Sequence, residues 1–176
     1  WRDGQLSRDI TEMATPDSVR VHIGRSGTRW IMQWSGVLRG TRDGHSFMWW
    51  ARRLGQANEM MVYEDRDGGV WISGTLSGLF RVKDGRLSDY TRQPGFSLTW
   101  VNDICEDGKG NLWLATHDAG LVRYRDGVFT PFGTAHGLPP GPLRKIYADR
   151  EGTLWVGSDA GLMRVTSHII TTYSTA

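Results

Sequence analysis

The stretch that decides the fold is Asp107-Gly108-Lys109-Gly110-Asn111-Leu112-Trp113. An acid, two glycines within four residues and then Leu-Trp read as the end of one strand, a tight turn, and a second strand opening on a large aromatic. Glycine supplies the positive φ of such a turn at no steric cost. Upstream lies the apolar run Val101-Asn102-Asp103-Ile104-Cys105. Downstream, Asp118-Ala119-Gly120 marks another turn, and Asp126-Gly127 is a strong hairpin signal between apolar runs. The predicted strands are 101–106, 112–116, 121–124 and 128–132, with no helical period between them.

The same unit recurs. Trp30, Trp71, Trp113 and Trp155 are separated by 41, 42 and 42 residues, and a glycine stands three places before each (Gly27, Gly68, Gly110, Gly152). Beyond each tryptophan come Gly36, Gly78, Gly120 and Gly161, then an aliphatic residue, then Arg39, Arg81, Arg123 and Arg164. Asp43-Gly44, Asp84-Gly85 and Asp126-Gly127 follow in three copies. Four short antiparallel strands per repeat of 40–50 residues is the pattern of a β-propeller blade. The fold class is therefore all-β, with four four-stranded blades whose strands we denote a to d. Each repeated tryptophan is expected to pack against the neighbouring blade, contributing about 4–6 kcal/mol as an upper estimate. Pro131 suits strand d, an outer edge that tolerates a missing N–H.

The organisation expected is one propeller segment over 1–176. Residues 1–11 read as the trailing strand of a preceding blade, followed by blades at 19–50, 58–90, 98–132 and 140–173. Five candidate d strands against four a-b-c sets suit a piece of a longer array; the expected assemblies are a ring that closes tightly on itself, one completed by a second copy of the chain, or one completed by further blades of the same protein. The first unit is the least regular: it lacks the aspartate before Gly27.

Composition narrows the classes. The formal net charge is only +2 and the basic residues are scattered, which argues against a nucleic-acid partner. No run approaches the ~18 apolar residues needed to cross a bilayer, so this segment is expected to make no membrane contact. The single cysteine, Cys105, rules out an intrachain disulfide and reads as a buried structural thiol. No Cys/His or paired-His spacing suggests a metal, and no cofactor motif is present.

The pattern Asp-x-x-Gly-x-Leu-Trp, then an apolar residue, a Thr or Ser, Gly-Leu-x-Arg and a Tyr or Val, resembles the two-component regulator propeller repeat. It stands at 107–124 and 149–165, with a looser copy at 65–82. The resemblance implies an extracytoplasmic (periplasmic) sensor domain of a bacterial hybrid histidine kinase or related sensor. It also implies a small-molecule ligand, often an oligosaccharide. A protein-interaction propeller is the alternative. The repeat is also loosely similar to streptogramin lyase propellers, and its turn to the Asp-box hairpins of sialidases. No spacing here identifies a sialidase constellation, and His117 and His136 lack an acidic partner motif. No catalytic residue is assigned, and the segment is read as non-enzymatic.

Blade geometry places the b–c and d–a loops on one face. The b–c loops differ between copies within a constant frame, which is where recognition is encoded. They contribute Trp34, His117, Asp118 and Asp159; the d–a loops add Phe96, Trp100 and His136. Aromatic planes with Asp and His nearby suit sugar stacking and hydroxyl hydrogen bonding. The four repeated arginines and the aspartates Asp65, Asp107 and Asp149 read as framework, each arginine pairing with an acid or carbonyl and each aspartate capping its own turn.

Overall fold

The computed structural model describes residues 18–33, 37–43, 45–50, 61–74, 78–96, 99–166 and 170–173. The expected trailing strand at 1–11 lies outside them. Among the described residues there are four antiparallel sheets, each in simple a-b-c-d order. The first holds β1 (Ser18–Ile23), β2 (Arg29–Gln33), β3 (Val37–Arg42) and β4 (His45–Trp50). The second holds β5 (Met61–Glu64), β6 (Val70–Gly74), β7 (Gly78–Lys83) and β8 (Arg86–Asp89). The third holds β9 (Val101–Glu106), β10 (Leu112–Thr116), β11 (Leu121–Arg125) and β12 (Val128–Phe132). The fourth holds β13 (Leu143–Ala148), β14 (Leu154–Ser158), β15 (Gly161–Val165) and β16 (Ile170–Tyr173). The third strand of the third copy runs one residue further than expected, to Arg125.

Burial reports the stacking of sheets. Every residue of β6 and β10 is buried, with no inward-outward alternation, because a neighbouring blade covers each face. All four residues of β8 are exposed, as an outer edge should be. Inner strands are cross-linked between blades. Asn102 Nδ2 donates to the Leu143 carbonyl at 2.7 Å, and the Ile146 amide donates to Asp103 Oδ2 at 3.2 Å. Arg66 Nη2 donates to the Asp107 carbonyl at 2.6 Å, tying the second blade to the third.

The turns carry the conformations their residues demand. Asp84 and Asp126 have φ of 48° and 50°, followed by Gly85 and Gly127 at 74° and 84°, the doubly left-handed geometry of a type I′ hairpin. In the a–b turns, Gly68, Gly110 and Gly152 each donate a backbone bond to the carbonyl of Asp65, Asp107 or Asp149.

Those aspartates do more than cap the turn. Asp65 Oδ1 accepts from the Asp67 and Gly69 amides at 3.0 and 2.7 Å, while Oδ2 accepts from Trp71 Nε1 at 2.8 Å. Asp107 and Asp149 hold Trp113 and Trp155 Nε1 in the same way, at 2.9 and 2.8 Å. The fixed indole then leans on the next blade. Trp30 packs with Val62, Val70 and Ile72 of the second blade; Trp71 with Val101, Leu112 and Leu114 of the third; Trp113 with Leu143, Leu154 and Val156 of the fourth. Tyr90 and Tyr124 complete the seat of Trp71, with ring centroids 5.0 and 5.1 Å away.

In the first unit, which lacks the turn aspartate, a glutamate of the second blade stands beside the turn. At the equivalent position, Gly24, a Cβ would collide with Glu64 Oε2 and lie 3.0 Å from Trp30 Nε1. The carboxylate of the second blade therefore fills the space, and Ser26 Oγ donates to it at 2.8 Å.

Two outcomes follow. Burial raises the Asp107 carboxyl, but the bonds from Trp113, Asn111 and the turn amides outweigh it and hold the group below its ordinary value of 3.8. A depressed folded value contributes stability that is present above the unfolded pKa and lost as pH falls through the folded one. Urea midpoints are expected to drop below about pH 4, and Asp107→Asn, less stable at neutral pH, should show a flatter acid limb. A parallel acid limb in the variant would contradict this. Burial, with Asp103 and Asp107 adding to it, also pushes the Cys105 thiol up to about 12. Iodoacetamide at pH 8 should alkylate the native chain at least about a hundredfold more slowly than the urea-unfolded chain; equal rates would contradict the assignment of an inert thiol.

Candidate functional site

The loops at the carboxyl ends of β10 and β14 and the amino ends of β9 and β13 place most of the expected residues together. The His117 amide donates to the Trp100 carbonyl at 2.8 Å, locking the b–c loop of the third blade to the incoming d–a loop. That bond brings the two rings face to face, with centroids 5.5 Å apart and planes inclined by 16°. Trp100 is half-buried and His117 exposed. Asp118 is exposed beside them, its Oδ1 accepting from the Thr99 hydroxyl.

On the adjoining loop of the fourth blade, Asp159 is held by a two-pronged arginine. Arg144 Nε donates to Oδ1 and Nη2 to Oδ2, both at 2.9 Å. Both partners are more than half exposed, so the pair orients the carboxylate more than it stabilises the fold. The Arg144 hydrogen bond lowers the Asp159 pKa, helped by the charges of Arg144 and His117, which places His117 within electrostatic reach.

Toward the inner strands lies a polar floor. Lys145 Nζ is 3.4 Å from Asp103 Oδ2. Burial lowers the pKa of His22, while Asp103 and Glu64 oppose this and Lys145 adds to it. The Lys145–Asp103 pair links the first strands of the third and fourth blades.

The remaining expected residues lie elsewhere. Phe96 is only 2 % exposed: the Gln93–Phe96 bridge tucks its ring onto Phe129, centroids 5.1 Å apart, so it belongs to the core. His136 is exposed at the end of a single 3-10 turn, Thr134–His136, where Nδ1 accepts from the Gly133 amide at 3.2 Å. It lines a cleft between the third and fourth blades with Phe132 and Trp113 rather than the Trp100 face. Trp34 lies outside the described residues.

Sequence reasoning missed Thr99 and Arg144. Arg144 follows buried Leu143 at the point where the d–a loop enters β13, and loop membership was the signal available. The framework reading of the arginines holds for Arg81, whose Nη2 and Nε lie 2.5 and 2.9 Å from Asp65 Oδ2. It fails for Arg123, because Asn111 Nδ2 takes the corresponding position on Asp107 at 2.6 Å. Among the described residues no group of three His, Cys, Asp or Glu side chains could hold a metal ion. No helix among them is long and apolar enough to cross a membrane.

Comparison with known proteins bears on this frame. The family model described as two component regulator propeller matches residues 95–118 and 137–160. No curated protein matches the chain in sequence. Among solved structures, virginiamycin B lyase from Staphylococcus aureus superposes with a TM-score of 0.71 at 19% identity, covering 90% of this chain and 56% of that one. The extracellular domains of two hybrid two component systems from B. thetaiotaomicron give TM-scores of 0.70 and 0.71 at 15% and 20% identity, covering 91% and 90% of this chain. The chain thus spans just over half of the lyase and about a quarter of either extracellular domain, 25% and 24%. At such identities the likeness is one of fold. That fold is the β-propeller, and the two matched segments, residues 95–118 and 137–160, are similar to the two component regulator propeller repeat.

Proposed function

We propose that this chain is a ligand-binding propeller segment of a bacterial two-component signalling protein, held outside the cytoplasm, and that its ligand is an oligosaccharide. The observation that carries the reading is the Trp100–His117 stack, bordered by Asp118 and by the Arg144–Asp159 pair. A sugar ring offers an apolar face and a rim of hydroxyls. An aromatic plate suits the first, and carboxylates fixed by Thr99 and Arg144 are acceptors suited to the second. The extracellular origin of the two sensor neighbours supports the location.

Binding rather than catalysis fits the placement of the histidines. His117 is engaged with Trp100 and His136 belongs to another cleft, so no paired acid and base is assembled between them. The lyase neighbour shares the propeller frame, and its activity is not carried over at 19% identity. Further blades of the same protein, or a second copy, are proposed as the partners that complete the assembly.

A panel of soluble oligosaccharides in a thermal-unfolding assay tests the reading. A glycan binding the native state at a hundred times its Kd stabilises by about 2.7 kcal/mol, and should raise Tm by several degrees. Trp100→Ala is expected to abolish that shift while changing the melting of the free chain little. A shift from a protein partner and from no glycan would overturn the proposal in favour of an interaction propeller.

A further inference from the structure

We propose a second binding site, in the cleft between the third and fourth blades, that takes a small organic anion: a carboxylate carried on a flat ring. The cleft has a volume of about 630 Å³ and shares no residue with the Trp100 face. It does not rest on the oligosaccharide reading.

The site exists because one repeat position has changed. In the second blade, Gly69 leaves room for Arg81 to reach Asp65: a Cβ there would lie 2.7 Å from both Arg81 Nη2 and Asp65 Oδ2. The third blade has Asn111 at that position. Its side chain donates to Asp107 Oδ2 at 2.6 Å and occupies the place an arginine would need. With Trp113 Nε1 on Oδ2 and the Lys109 and Asn111 amides on Oδ1, the carboxylate of Asp107 is fully engaged. Arg123 is displaced. Its guanidinium lies over Phe132, 5.8 Å from the ring centroid, and its Nε is buried with no hydrogen-bond partner. Asn111 Oδ1 is likewise buried and unpartnered.

Around this displaced cation the cleft gathers more positive charge. Lys109, Arg125 and Arg150 line it with Arg123, against the carboxylates of Asp107 and Glu151. Arg125 is held by Asp126 at 3.3 Å, whereas Lys109 and Arg150 make no ion pair among the described residues. The floor is apolar, from Trp113, Phe132 and Leu154. A guanidinium fork matches a carboxylate in two hydrogen bonds, and a flat body can lie along aromatic walls. An anion on a ring satisfies both features; a neutral ring satisfies one.

Calorimetric titration of the chain with 2-naphthoate, and with neutral 2-naphthamide, tests the proposal. The acid should bind at least tenfold more tightly than the amide, and more tightly at low salt. Asn111→Gly restores the second blade's arrangement, letting Arg123 fold onto Asp107, and should weaken naphthoate at least tenfold without loss of urea stability. Arg123→Met should weaken it similarly, and Trp100→Ala should leave it unchanged. No saturable binding below roughly 10 mM, equal affinity for acid and amide, or full retention in Asn111→Gly would overturn the site. Should Arg123→Met fail to fold, Asn111→Gly decides the matter, because glycine already serves that position in the second blade.

Discussion

The structure depends on a carboxylate that works in two directions at once. One oxygen of Asp65, Asp107 or Asp149 closes its own a–b turn through backbone amides, and the other grips the indole nitrogen six residues on. The first action fixes a local turn; the second fixes where a large aromatic points. Since that aromatic packs on the next sheet, a bond within one hairpin sets the relation between blades. A buried indole N–H without an acceptor would cost about 1–3 kcal/mol, so the pair is demanded as well as permitted.

What varies between copies is the company this carboxylate keeps. Arg81 joins it in the second blade, Asn111 in the third and Thr153 in the fourth, while in the first Glu64 arrives from the neighbouring blade. In the second, third and fourth blades the indole N–H thereby has its acceptor. The consequences outside the seat differ, because an arginine retained in the frame is unavailable for recognition and one released from it is not. The same logic separates the frame from the Trp100 face, where backbone pairing to His117 holds the two rings stacked on one another.

Much of the fold was legible because its signals are local and repeated. Asp-Gly at 84–85 and 126–127 demanded left-handed turns, and the evenly spaced tryptophans marked the second strand of every sheet. The site was only partly legible. Trp100, His117, Asp118 and Asp159 share a face because loop order assigns them to it. Phe96 does not, because a two-residue bridge turns it inward, and no spacing rule encodes that turn. Arg144 and Thr99 gain their roles from partners fifteen and nineteen residues away, across loops whose juxtaposition only the folded sheets provide. The release of Arg123 depends on what stands at position 111, a pairwise exclusion invisible when each repeat position is read alone.

The central claim, that the turn carboxylate and the indole form one coupled unit, is tested most directly by a double-mutant cycle in urea unfolding on Asp107→Ala and Trp113→Phe. Phenylalanine keeps an aromatic ring but removes the donor. The account expects the two losses to be strongly non-additive, with a coupling of at least about 1 kcal/mol. Losses that add to within about 0.3–0.5 kcal/mol would show that carboxylate and ring act independently, and would contradict it.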